Sequence, residues 1–326
     1  MPDNVNNVLC IGELLIDFIC SDIGVSIQEG VNFTKKAGGA PANVTACISK
    51  LGGSSCFAGK VGDDPFGTFL KKTLDDVNVD TSMLLFDKAH STTFAFVSLK
   101  ANGERDFVFD RGADAFLTFD ELDMTKIKSS KIIHFGSATA LLGGPTMDTY
   151  IKAMKIAKQE GKFISFDPNY RVDLWKGNLD AFIYEATKCI KYADFVKVSD
   201  DELRIITKKE SLEDGVNTLH ILGAKIVAVT LGENGTFISN RKETATIPSI
   251  KIKSIDSTGA GDAFVGSVLY KISLLSQPKK LVYDFNKIKE ITYFANKVGA
   301  IVCTKLGAIS SLPNIKEVDE YQVVSE

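Results

Sequence analysis

Short apolar runs rich in Val, Ile and Phe punctuate the chain at residues 8–12, 131–136, 162–167, 195–199 and 225–231. They read as strands buried on both faces, because a half-solvated strand would alternate apolar with polar. Between them, residues 41–50, 65–77, 148–159 and 179–192 carry apolar positions at helical spacing. Strand and helix in alternation predict an α/β fold with a doubly wound, mostly parallel sheet. The pattern changes at residues 93–99 and 106–109, two strand-like runs joined by the turn residues 101–104, and a hairpin is expected there. No low-complexity linker or internal repeat divides the chain.

Composition narrows the class. A chain of 326 residues with 44% hydrophobic content is enough for one large α/β domain with an appendage. A net charge of −3 argues against nucleic acid or an acidic membrane as the main partner. The first basic residue is Lys35, and the apolar stretch 8–20 is broken by Glu13 and Asp17, so neither a leader peptide nor a spanning helix is expected, and the cytoplasm is the expected compartment. Six cysteines (Cys10, Cys20, Cys47, Cys56, Cys189, Cys303) form no Cys-x-x-Cys pair, and His90, His134 and His220 share no ligand spacing with them. Reduced core thiols are expected rather than a zinc site or a disulfide framework.

Candidate chemistry concentrates in Asp256-Ser257-Thr258-Gly259-Ala260-Gly261-Asp262, which runs directly into the helix-like segment 263–269. Three successive small residues, Gly259, Ala260 and Gly261, let backbone N–H groups converge where the helix macrodipole favours negative charge, so a phosphoryl group in transfer is expected there. Asp262 would stand beside the same anion, a poor place for a carboxylate unless it takes a proton from an attacking hydroxyl. The plainer reading is a Gly-rich turn capped by Asp; two aspartates six apart around the small-residue run weigh against it. No Lys follows the second glycine and no Gly-x-Gly-x-x-Gly follows the first strand, so neither the common phosphate loop nor the dinucleotide fingerprint applies.

The heptapeptide resembles the carboxy-terminal signature of the ribokinase-like (PfkB) sugar kinases, usually Asp-Thr-Thr-Gly-Ala-Gly-Asp, with Ser257 the one substitution, and the match extends over most of the chain. The resemblance implies a ribokinase-like kinase domain spanning residues 1–326, with residues 13–35 and 91–112 forming a small β-sheet lid over the sugar. Asp17, just past the first strand, would accept two sugar hydroxyls. Gly38-Gly39-Ala40-Pro41-Ala42-Asn43 places two glycines before a helix-starting Pro and gives Asn43 both a donor and an acceptor, although alone this is a common loop and cap. With Leu51-Gly52-Gly53 and the segment 59–67 after it, that stretch resembles the family's amino-terminal signature, particularly of its fructokinases. Gly103-Glu104-Arg105, Phe109-Asp110-Arg111 and Ala113-Asp114 resemble the fructokinase lid, with Asp110 replacing the usual Tyr and Gly112 the usual Ser. Phe96 and Arg111 are accordingly expected at the sugar. Phe94, Phe96, Phe107 and Phe109 are too apolar for a free hairpin, so they should cover the sugar, pack on the domain or pair with a second subunit's lid, and a homodimer is expected. The run from Phe166 to Arg171, then Leu174-Trp175, resembles a stretch shared by fructokinases and 2-keto-3-deoxygluconate kinases that turns Arg171 toward phosphate or substrate; a helix cap in a surface ion pair is the other reading.

For the nucleotide, the run from Lys197 through Ser199 to Glu202 resembles the family segment Asn-x-x-Glu, with Ser199 where many members have Asn. Glu202 would organise Mg²⁺ through water, since that ion keeps much of its hydration, unless it is an exposed first-turn carboxylate. Thr230, Gly232 and Gly235 would wrap the triphosphate, with a tight hairpin turn as the competing reading. Asn296 corresponds to an adenine-side position. Asp256 and Thr258, with Val302, Lys305, Gly307 and Ser311, correspond to the loop that holds a monovalent cation such as K⁺, largely through carbonyls. The implied reaction is ATP-dependent phosphorylation of a sugar's primary hydroxyl, with fructose as the first expectation. A 2-keto-3-deoxygluconate kinase, a ribokinase, a nucleoside kinase and a non-catalytic sugar-binding regulator stand as alternatives.

Overall fold

Two sheets carry the fold of the computed structural model, which describes residues 7–102 and 104–321. In chain order the strands are β1 (Val8–Ile11), β2 (Leu15–Cys20), β3 (Phe33–Gly38), β4 (Ser55–Gly62), β5 (Asp80–Asp87), β6 (Phe94–Leu99), β7 (Arg105–Asp110), β8 (Ile132–Phe135), β9 (Phe163–Phe166), β10 (Phe195–Ser199), β11 (Ile226–Thr230), β12 (Thr236–Ser239) and β13 (Thr244–Ile247). The helices are α1 (Ala40–Lys50), α2 (Pro65–Asp75), α3 (Met124–Ser129), α4 (Pro145–Gln159), α5 (Val172–Trp175), α6 (Leu179–Ile190), α7 (Asp200–Thr207), α8 (Leu212–Leu222), α9 (Ala260–Ser273), α10 (Phe285–Val302) and α11 (Ile315–Glu320).

The large sheet runs β13-β12-β11-β10-β9-β8-β1-β4-β5 and is parallel except for β12 and β13 at one edge. Its central strands β1, β4, β8 and β9 are buried at every position because helices cover both faces. Leu9, Ile11, Ile133 and Phe135 join the core on one side, and Val8, Cys10 and Ile132 the core on the other. The doubly wound expectation therefore holds. The strand β4 hides behind its own sequence: it is buried throughout yet contains Lys60, whose charge is met by Glu121 Oε1 at 2.7 Å and Asp87 Oδ2 at 3.7 Å. All six cysteines are free, and burial pushes the thiols of Cys10, Cys47, Cys56 and Cys189 up to about 12. Among the described residues no helix is long and apolar enough to cross a membrane.

A second sheet has the order β3-β2-β6-β7, with β2 parallel to β6 and antiparallel to β3, and β6 and β7 forming the hairpin. Gly103 in its turn lies outside the described residues. Register separates its faces. Asp17 stands opposite Lys36 and Ala95, with Phe107 and Phe109 on the same side through their pairing with Val97 and Ala95. Phe18 and Phe96 stand opposite each other on the reverse side, and there Phe18 and Phe94 pack on Phe66 of α2 with centroids 5.8 and 5.0 Å away.

Candidate active site

The turn before α9 is bent by Gly259, whose φ of +79° suits glycine and whose absent Cβ would lie 2.7 Å from that of Ala308. The N–H of Ala260 donates to the Ser257 carbonyl at 3.1 Å. The tight turn therefore uses the Ala260 amide, so the three small residues do not present three equivalent amides to an anion. Asp262, in the first turn of α9, accepts from Asn43 Nδ2 at 2.8 Å, a bond that joins α1 to α9 across 219 residues. Burial pushes the Asp262 carboxyl up to about 6, against the pull of the Asn43 donor and the positive charges of Arg171 and Lys197, while Asp167 adds to the rise. Asn43 Oδ1 is buried without a partner, a vacant acceptor at the same place.

Lys197, at the middle of β10, pairs with Asp167 Oδ2 at 3.0 Å and stands 3.5 Å from where a Cβ on Gly261 would be. Burial alone would lower its ammonium, but Asp167 and Glu202 hold it above the ordinary lysine value. Glu202 is 6% exposed rather than a surface carboxylate, and it accepts the N–H of Tyr170 and of Ser199, each at 2.7 Å. The Ser199 hydroxyl returns a bond from the Glu202 N–H at 3.1 Å, a capping box that occupies both side chains at the start of α7.

Thr230 ends β11, its hydroxyl 3.4 Å from the Val198 carbonyl. The segment after it closes as a hairpin turn into β12, with the Leu231 N–H on the Gly235 carbonyl at 2.8 Å, so the turn reading describes its geometry. Gly235 is required there, since a Cβ would fall 2.1 Å from the Ile247 carbonyl oxygen, whereas Gly232, at φ +58°, faces open space. The amide of Asn296 is consumed inside the protein: Oδ1 accepts from the Thr236 hydroxyl at 2.7 Å, and Nδ2 donates to Ile247 and Pro248 at 2.9 and 3.2 Å. These bonds make the side chain an anchor of the sheet edge.

Two loops meet beneath the anion turn. Ile255 and Asp256 donate to the Cys303 carbonyl, and Asp256 accepts from the N–H of Thr258 at 2.9 Å and of Gly307 at 2.8 Å. Burial would raise the Asp256 carboxyl, but these bonds and the Thr258 hydroxyl hold it below its ordinary value. Ser311 donates to Ala308, the Val302 carbonyl accepts from Lys305, and the Lys305 side chain turns away toward Glu317 at 3.6 Å. One carboxylate with loop carbonyls suits a monovalent ion, and among the described residues no cluster of three acidic, His or Cys side chains forms a divalent cage.

On the sugar side Asp17 lies within β2 of the small sheet. Gly38 makes room for it: a Cβ there would sit 2.1 Å from Asp17 Oδ2, and one on Gly39 would be 2.5 Å from the Glu13 carbonyl oxygen. Phe96 is a correction, since it stacks on Phe18 at 4.9 Å on the face opposite Asp17. Arg111 reaches Asp114 Oδ2 at 3.3 Å and the Gly143 carbonyl at 3.2 Å, leaving Nη2 buried and unpartnered. Arg171 is exposed at the start of α5 and contributes its charge at Asp262.

Glu13 escaped the sequence reading. It is 2% exposed, burial pushes its carboxyl up to about 7, and it accepts from the N–H of Ala40 and of Ala138, each at 3.2 Å, and from the Ser137 hydroxyl. The carboxylate thereby pins the start of α1, and with it Asn43, to the loop after β8. Its only signal was a lone acid in an apolar run.

A family model for pfkB family carbohydrate kinases matches residues 5–315. Fructokinase-1 of Zea mays is 43% identical over 314 residues, covering 95% of this chain and 96% of that protein. Fructokinase with bound ATP from Xylella fastidiosa superposes with a TM-score of 0.88 at 29% identity, covering 95% of this chain and 96% of that one. Fructokinase from Vibrio cholerae O395 in its fructose, ADP and calcium ion bound form superposes with a TM-score of 0.85 at 32% identity, covering 97% and 99%.

Proposed function

The chain belongs to the pfkB family of carbohydrate kinases, and from that premise we propose that it transfers the terminal phosphoryl group of ATP to the primary hydroxyl of fructose. The observation that carries the reading is Asp262, a carboxylate with its conjugate acid near pKa 6, one oxygen held by Asn43, beside the free amides of Gly259 and Gly261. A base so tuned is ionised at neutral pH and still able to take a proton. The fructose hydroxyl gives its proton to Asp262 as its oxygen bonds to phosphorus, and the bond to the ADP leaving oxygen breaks; the two amides receive the charge that builds on the phosphoryl oxygens.

Asp17 and the vacant Asn43 Oδ1 offer acceptors to neutral hydroxyls, which favours fructose over the carboxylate of 2-keto-3-deoxygluconate. Hydrated Mg²⁺ bound with the nucleotide would neutralise phosphate charge, and Glu202 is the residue that would hold its water shell. A K⁺ ion would rest on Asp256 and the carbonyls of Thr258, Val302, Lys305 and Gly307, steadying the turn above it. The small sheet would close on the sugar with the Asp17 face inward. Exposed Ile23, Val31, Leu99 and Val108 on that sheet and its connections support pairing with a second copy, which light scattering would detect as a dimer.

A coupled ADP-release screen with fructose, 2-keto-3-deoxygluconate, ribose, glucose and adenosine tests the reaction. Fructose should show the highest kcat/KM. A tenfold preference for 2-keto-3-deoxygluconate would overturn the substrate assignment.

A further inference from the structure

Two carboxylates are buried at the foot of the small sheet, Glu13 at 2% exposure and Asp114 at 3%. A carboxylate so placed must be met by donors, and the origin of those donors shows what it holds together. Three side chains from separate segments meet Asp114: the Thr93 hydroxyl just before β6, Arg111 Nε just after β7 at 3.3 Å, and the Thr139 hydroxyl from the loop after β8 at 2.7 Å. The Thr93 hydroxyl oxygen accepts the Gly112 N–H at 2.9 Å, and the Thr93 carbonyl accepts the N–H of Ile16, the neighbour of Asp17 on β2, at 3.0 Å. Both ends of the hairpin and the strand that carries Asp17 therefore converge on one buried carboxylate.

The bonds continue toward the large sheet. The Ser137 hydroxyl donates to Glu13, and its oxygen accepts the N–H of Thr139 at 3.2 Å and of Ala140 at 2.8 Å. Glu13 in turn accepts the Ala40 N–H at the start of α1, three residues before Asn43, which holds Asp262. The two carboxylates lie close enough that the charge of Asp114 adds to the rise of the Glu13 pKa. Neutralising Arg111 would not require both threonines.

We propose that Asp114 is a positioning residue for the sugar, fixing the base of the small sheet to the loop 137–139 that Glu13 ties to α1. The sheet that carries Asp17 and the helix that holds the base are thereby set on one frame. Asp114 acts through Thr93, Arg111 and Thr139 and does not touch the substrate. This inference rests on the phosphoryl-transfer reading above. Its consequence is that loosening the foot of the sheet misplaces the sugar while the nucleotide side stays intact, and a displacement of about 1 Å is enough to cost about 10²-fold in rate.

The experiment compares Asp114→Asn, Thr139→Val and Thr139→Ser in the full chain. The sugar KM and kcat are measured with whichever sugar the screen selects, ATP binding without sugar by calorimetry, and backbone hydrogen exchange without ligands. Asp114→Asn keeps the shape but turns one acceptor into a donor, so the sugar KM should rise about tenfold while ATP affinity stays within about twofold. Thr139→Val should raise KM in the same direction, and Thr139→Ser, which keeps the hydroxyl, should restore it. A folded Asp114→Asn whose KM rises less than about threefold would overturn the proposal even if its Tm falls, because Asp114 would then serve stability alone. If Asp114→Asn does not fold, the Thr139 pair decides: an unaltered KM in Thr139→Val overturns the proposal, and a raised one restored in Thr139→Ser supports it. If the wild-type chain phosphorylates none of the sugars, the reaction assignment fails by itself and hydrogen exchange decides for whichever variant folds. Faster exchange confined to β2, β6 and β7 supports the frame; unchanged exchange, or an increase throughout the protein, overturns it.

Discussion

At the carboxyl edge of the nine-stranded sheet, functional side chains are held by bonds between distant elements: Asn43 on α1 to Asp262 on α9, Lys197 on β10 to Asp167 beyond β9. On the four-stranded sheet they are held by parity. Asp17 lies on one face because it stands opposite Lys36 and Ala95, and Phe96 lies on the other because it stands opposite Phe18. The first region is a set of buried charges whose values depend on one another, so altering one changes the chemistry of the rest. The second is a surface with two sides, where a change matters according to the side it falls on.

Asp262→Asn should break the first region most severely. It keeps the size of the side chain but not its basicity, so kcat should fall by about 10²–10⁴-fold while fructose binding, followed by calorimetry, survives. Retention of more than a tenth of the wild-type kcat would remove Asp262 from the role. In the wild-type protein kcat/KM should fall as pH drops through about 6, because the carboxyl must be ionised to act and burial holds its folded pKa there. The sign for stability is opposite. A carboxyl with a raised folded pKa costs nothing below its unfolded value, near 4, and its full cost above about 6, so Asp262→Asn should gain in Tm over wild type more at pH 8 than at pH 4.

For the small sheet, Gly38→Ala probes the inward side. A Cβ 2.1 Å from Asp17 Oδ2 must displace the carboxylate, and losing its hydrogen bonds should raise the fructose KM by about tenfold with little change in fold. An unchanged KM would mean that Asp17 does not touch the sugar. Phe96→Ala, on the outward side, should have the smallest effect on turnover. The fructose KM should stay within about threefold, while loss of the stack on Phe18 lowers Tm by about 3 °C. A tenfold rise in KM with an unaltered Tm would reverse the assignment of the two faces.

Much of this was legible in the residue order. Short, mostly apolar runs at 8–12, 131–136 and 195–199 read as strands covered on both sides, and the helices between them make the sheet parallel. The turn 256–262 and the hairpin of β6 and β7 are local structures, set by small residues and alternation within a few positions. Other features depend on which distant segments meet. The Ala260 amide is used by a turn, Asn296 is anchored by carbonyls 48 and 49 residues away, and the side of the sheet that Phe96 occupies follows from its pairing with β2. Glu13 belongs to the same group, since a charge in an apolar run shows that a partner must exist without naming it. Periodicity and turn chemistry depend on neighbours along the chain and are therefore present in the sequence; hydrogen-bond satisfaction, burial and the pKa of Asp262 depend on neighbours in space, which exist only once the chain has folded.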